Sequence, residues 1–200
     1  AVACAVRYGA WRAEPPGREP AFRDLRTGAA GTLVRDFARR APGGGWLDPS
    51  ETAELLGCYG ISIAGLTPLT GGTEVTITST DDHLFGPLMA LRLDETGTES
   101  RPGPDLAPRL APLTDADADK LIQSVSSAVS RLGDEGATAA CIGPLRDVLL
   151  RVSRLAEDLT EITDLELNLV INRQGAVVAV DARIKVAPHE PHDAFLRGLR

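Results

Sequence analysis

The chain has 200 residues, 43% of them hydrophobic, and a formal net charge of -7. That length and apolar content suffice for one domain with a core, or one and a half, and the acidic balance argues against a nucleic-acid partner, whose phosphates need a basic surface. Cys4, Cys58 and Cys141 are far apart without metal spacing, which favours a reducing, cytoplasmic setting over a disulfide framework; no apolar run reaches the roughly 18 residues of a membrane span and no signal peptide opens the chain.

Residues 1–13 read as an apolar-rich helix that opens in mid-pattern, as if cut from a longer protein, and Glu14-Pro15-Pro16-Gly17 breaks it. A second helix is predicted from Gly28 to Arg40, with Leu33, Val34, Phe37 and Ala38 as its apolar face. Gly43-Gly44-Gly45 follows as a linker; a phosphate loop would need a preceding strand and a following Gly-Lys-Ser/Thr. The next helix has an N-cap at Asp48, proline at N1 in Pro49 and a capping-box partner in Glu51, and it carries Cys58 on its apolar side. Strands are predicted at 74–79 and 85–93, with Asp81-Asp82-His83 as a solvated hairpin turn. Thr114 caps a helix running to Leu132, with Asp115 and Asp117 in its positive first turn. The Asp115-Asp117-Asp119 alternation diverges on a helix and lacks the glycine and terminal Glu of a calcium loop. A further helix spans 144–159, and alternating strands at 165–171 and 176–186 flank Asn172-Arg173-Gln174-Gly175 as a hairpin. His189-Glu190-Pro191-His192 reads as a tail, because Pro191 breaks the helix that would align both rings. There is no internal repeat, and the order β-β-α-α-β-β predicts an α+β fold.

The hairpin carries the chemistry. If Asn172 pairs with Gly175, Glu166 stands opposite Asp181, and Asn168, two residues along, shares their face. Mg²⁺ takes hard oxygen ligands, few of them from protein, so Glu-x-Asn plus Asp suits it. The same alternation equally describes the solvated face of an edge hairpin.

Phe85-Gly86-Pro87-Leu88, Arg109-Leu110-Ala111-Pro112-Leu113-Thr114 and Val180-Asp181-Ala182-Arg183, with Trp46-Leu47-Asp48-Pro49 and Leu55-Leu56-Gly57-Cys58-Tyr59-Gly60-Ile61 before them, form an ordered motif set. It resembles the ATP-grasp domain of the NDP-forming (ADP-forming) acyl-CoA synthetase family, closest to members fused to a GNAT-type protein lysine acetyltransferase. The resemblance implies a helical linker at 1–45 and an ATP-grasp-like domain at 46–200. It implies Mg²⁺ at Glu166, Asn168 and Asp181, with ATP or ADP as the nucleotide. Arg109 falls at a family arginine able to reach a phosphate, although pairing with Asp115 or Asp117 is an equal use for it; Glu74 falls at a family acidic position of open role. The implied partners are other synthetase domains and a GNAT acetyltransferase of the same larger protein, and a homo-oligomer is compatible.

Departures from the family pattern point to a degenerate domain. Leu169 replaces a family proline, with little consequence for ligation. The segment 66–73 passes directly into a strand where the family inserts its adenine- and lysine-bearing subdomain, and the chain's lysines are Lys120 and Lys185 alone. After Phe85-Gly86-Pro87-Leu88 the family's Gly-Leu-Gly-Gly type segment is replaced by Met89-Ala90-Leu91-Arg92-Leu93-Asp94-Glu95-Thr96-Gly97-Thr98, and the Asp94-Glu95 pair would repel a phosphate. Three functions stay open: a synthetase module converting acyl-CoA, ADP and phosphate to acid, CoA and ATP or the reverse; a ligand-sensing regulatory domain; and a structural or dimerisation domain.

Overall fold

The computed structural model describes residues 17–64, 72–93, 108–129, 135–172 and 174–188. The expected helix at 1–13 and the histidine pair at 189–192 lie outside them. The elements are α1 (Thr27–Arg40), β1 (Gly45–Trp46), α2 (Pro49–Cys58), β2 (Thr73–Asp82), β3 (Gly86–Leu93), β4 (Arg109–Leu110), α3 (Asp115–Val129), α4 (Glu135–Asp158), β5 (Ile162–Ile171) and β6 (Val177–Val186). The strands form one antiparallel sheet in the order β1-β6-β5-β2-β3-β4. The α+β class holds. The expected elements gain two short strands, β1 and β4, whose two residues each are too few to show a period.

Local chemistry explains the boundaries. In α1, Ala30, Val34 and Phe37 are buried at helical spacing. Ala38, expected on that face, is exposed, because at about 100° per residue it falls about 70° off the centre of the stripe. Asp48 accepts from the Glu51 amide at 2.8 Å while the Glu51 carboxylate accepts from the Asp48 amide at 3.2 Å, closing the capping box of α2. Gly60, at φ 73°, ends that helix and aims the Ile61 amide back at the Leu56 carbonyl. Thr114 and Asp117 form the same reciprocal box at the start of α3. Asp119 pairs with Arg146 at 2.6 Å, so the three aspartates are separately engaged and form no cation loop. α4 begins nine residues before the predicted start. Pro144 lies inside it; both Pro144 and Ala140, whose carbonyl loses its donor, are exposed, and water can take that bond.

One apolar layer joins helices to sheet. Leu145, Leu149, Val152, Leu155 and Ala156 form the buried stripe of α4, and they share a core with Ile77, Leu91, Leu165, Leu167, Leu169 and Ile184 from alternate sheet positions. Leu55 and Leu56 from α2 and Tyr59 just after it complete this cluster, and Cys58 packs in it as expected. Arg151 bridges α4 to Asp24 at 2.8 Å and to Asp147 at 2.8 Å, and it also donates to the Tyr59 carbonyl. No helix among the described residues is long and apolar enough to cross a membrane.

Tyr59 donates its hydroxyl to the Asp158 carboxylate at 3.1 Å. Burial, and then the adjacent Asp158 charge, push its phenol above the ordinary value. A raised folded-state pKa leaves this contribution intact below about pH 10 and removes it as pH rises beyond. Tyr59→Phe is therefore expected to cost about 1 kcal/mol at neutral pH and to flatten the alkaline loss of stability seen in wild type. Urea melts of both proteins across the alkaline range check this; parallel curves would contradict it.

Candidate functional site

With one sheet face committed to the helices, the other carries the polar half of each alternating strand. Glu74, Thr76, Thr78 and Thr80 of β2, Arg92 of β3, Asp164, Glu166 and Asn168 of β5, and Asp181, Arg183 and Lys185 of β6 share it by cross-strand pairing. The middle row runs Arg92, Thr76, Asn168, Asp181. Thr76, 1% exposed, donates its hydroxyl to the Asn168 side-chain oxygen at 2.9 Å.

The register differs from the sequence expectation. Glu166 stands opposite Arg183, and Asn168 opposite Asp181. Two causes add. The Asn172 amide bonds to the Ala176 carbonyl, so the turn closes on Ala176 and not on Gly175, which sits at φ 81°, and a bulge between Asn168 and Leu169 leaves Val180 as an extra residue on β6. Each shifts the ladder by one residue. Together they restore parity, so Glu166, Asn168 and Asp181 remain on one face. The hairpin is no edge: β5 lies between β6 and β2, and β6 between β1 and β5.

These three side chains fit a magnesium–phosphate complex in donor chemistry. Two carboxylates and an amide oxygen are what Mg²⁺ accepts when waters and substrate phosphates complete its shell. The nearest cation does not neutralise them. The Arg183 guanidinium lies over the exposed Trp46 ring at 4.7 Å, Lys185 pairs with Asp164 at 3.6 Å, and Glu166 has no ion pair among the described residues. Those residues hold no cage of three His, Cys, Asp or Glu side chains, so any ion here leans on a ligand for its remaining oxygens.

The remaining candidates separate. Glu74 is exposed on the same face, at the end of β2 and opposite Val170. Arg109 is not on it: β4 sets Arg109 opposite Met89, which is fully buried in the helix-side row with Ser79. Nor does Arg109 pair with Asp115 or Asp117. Asp115 accepts from the Arg18 and Ala116 amides, which hold its carboxyl below the usual range, and Asp117 is occupied by Thr114. A hairpin turn joins β2 to β3 as expected, but it starts later: β2 runs through Asp82, whose carboxylate accepts from the Leu84 and Phe85 amides. Sequence reasoning missed Thr76 and Arg92 as members of the central row. Glu74-x-Thr76-x-Thr78-x-Thr80 was the readable signal.

The profile of the family described as ATP-grasp domain matches residues 65–186. The chain belongs to this family. Family members generally bind a nucleotide together with Mg²⁺. The chain is 36% identical over 129 residues to the acetate–CoA ligase [ADP-forming] II subunit beta of Pyrococcus furiosus, covering 63% of this chain and 53% of that protein. It is 30% identical over 126 residues to the corresponding I subunit beta, with the same coverage. The chain thus spans about half the length of these curated relatives; its matched segment is homologous to the ATP-grasp region of ADP-forming acetate–CoA ligases. The crystal structure of PH1788 from Pyrococcus horikoshii shares the fold, with a TM-score of 0.63 at 20% identity over 82% of this chain and 100% of that one.

The three oxygen ligands differ in what they do for the metal-free fold. Asn168→Ala removes the bond from Thr76 and is expected to cost about 1 kcal/mol. Glu166→Gln and Asp181→Asn are expected to stay within about 0.5 kcal/mol of wild type. Chemical denaturation without divalent ions measures all three; a large loss in either carboxylate variant would make that residue structural.

Proposed function

We propose that this chain is the ATP-grasp portion of an ADP-forming acyl-CoA synthetase module that keeps the metal-and-phosphate wall of the cleft and lacks the adenine-clamping wall, so that it senses a ligand without turning it over. The observation that carries this reading is the polar sheet face that Glu166, Asn168 and Asp181 share within the family-matched segment. Its counterpart is the short link before β2. Ile63 bridges to Ala179 of β6, and only residues 64–72 separate it from Thr73 of β2. Nine residues reach about 30 Å when extended, enough to connect two strands and far too few for a further subdomain.

The chemistry of phosphoryl transfer supports the division of labour. Such reactions rest on positioning and on neutralising the phosphoryl charge with Mg²⁺ and fixed cations. One wall can hold the metal end of a nucleotide, but turnover needs the base and the reacting phosphate fixed from both sides. In the larger protein the proposed partners are the other synthetase domains and a GNAT-type lysine acetyltransferase, whose response this domain would tune.

Calorimetry of the chain with Mg-ATP is expected to show binding in the millimolar range or none. Micromolar affinity would contradict the loss of the clamp. In a fused protein, deleting residues 46–200 is expected to change the acetyltransferase's response to nucleotide, whereas an unchanged response would leave the domain an inert scaffold.

A further inference from the structure

The polar face holds an arginine that makes no ion pair among the described residues. Arg92 stands opposite Thr76 on β3, and its Nε is buried without a hydrogen-bond partner. The other described cations of the face are engaged: Arg183 over Trp46, and Lys185 with Asp164. Glu74, diagonal to Arg92 across the β2–β3 ladder, makes no ion pair with it. Arg92 as a whole is half-buried, and its Nε, cut off from water, lacks an acceptor that a ligand could supply.

We infer that Arg92 is the phosphate-receiving group of this face, and that the ligand is a Mg²⁺-bound di- or triphosphate recognised by its phosphates without selection for the base. The inference rests on the proposed one-walled cleft. Arg92 and Asn168 are two strand spacings apart, about 10 Å between backbones, a gap that a diphosphate and its metal can bridge between the two side chains. The guanidinium fork matches phosphate oxygens in a way a single ammonium does not. The same face carries Glu74, Glu166 and Asp181, which repel a bare anion; Mg²⁺ neutralises the last two and should make binding metal-dependent. Arg92 thus supplies a charge on this face in a chain whose two lysines lie elsewhere: Lys185 is engaged with Asp164, and Lys120 is on α3.

Titration of the full chain with inorganic pyrophosphate, followed by ³¹P NMR with and without Mg²⁺, tests this. Wild type is expected to bind more tightly with Mg²⁺, and ADP and GDP are expected to bind alike. Arg92→Met should weaken pyrophosphate by about tenfold to a hundredfold, with Arg92→Lys between. Glu166→Gln should remove the Mg²⁺ enhancement and, by taking away a repelling charge, leave metal-free binding no weaker than in wild type. Without ligand, Arg92→Met should melt no lower than wild type, and pyrophosphate with Mg²⁺ should raise the melting temperature of wild type alone. Equal affinity of wild type and Arg92→Met, or no binding to wild type, would overturn the assignment; a strong preference for ADP over GDP would overturn the base-blind part. Tight, adenine-selective Mg-ATP binding contradicts the one-walled reading whatever Arg92 does, so the two ideas fail separately.

Discussion

The constraint on which this structure depends is the period of two in its strands. One face of the sheet is sealed by α3 and α4 through Ile77, Leu91, Leu165, Leu167 and Ile184, so every polar residue between them must face the other way. A single-residue slip anywhere in the β5–β6 ladder would carry Asp181 into the core and Ile184 out of it. The turn closing on Ala176 and the bulge at Val180 each make such a slip, in the same direction. Their sum is even. The bulge therefore does more than bend a strand: it moves Asp181 alongside Asn168 and keeps both on the face that holds Glu166.

That face is unusual in its balance of charge. Carboxylates at Glu74, Glu166 and Asp181 meet arginines at Arg92 and Arg183, yet none of these five is ion-paired among the described residues, although Asp164 and Lys185 on the same face are. Arg183 covers Trp46 at the sheet edge, while Arg92 remains beside Thr76. Elsewhere the protein pairs its charges freely, as at Arg151 with Asp24 and Asp147, Arg146 with Asp119, and Arg40 with Glu51. The contrast separates a face organised for the fold from one whose charges are left for something outside it. It also suits a domain that retains the metal end of a nucleotide site after losing the part that grips the base.

Much of this was legible in the sequence because the signals were local. The capping boxes at Asp48 and Thr114, the turn at Asp82 and the alternation of β5 and β6 each depend on residues within a few positions of one another. The site face was legible for the same reason, since i and i+2 share a face whatever the register. What failed was non-local or hidden by averages. The pairing of Glu166 with Arg183 depends on a bulge that no single residue announces. Arg109 drew attention through its motif, but only the pairing of β4 with Met89 shows that it faces the helices. Pro144 resembles a helix start because proline suits N1, yet a solvent-facing proline inside a long helix leaves the same trace. Arg92 stood in the sequence only as one of the residues of an eroded glycine-rich segment; its charge became informative only once its neighbours in the sheet were known.

The central claim is that the open face receives the metal end of a ligand. Manganese(II), which occupies magnesium sites and broadens nearby amide resonances, tests it most directly in an assigned ¹⁵N spectrum recorded with ADP. The account predicts that broadening centres on Glu166, Asn168 and Asp181 and spares the amides of α1 and α2. Broadening centred on the acidic first turn of α3, or spread without a centre, would contradict it.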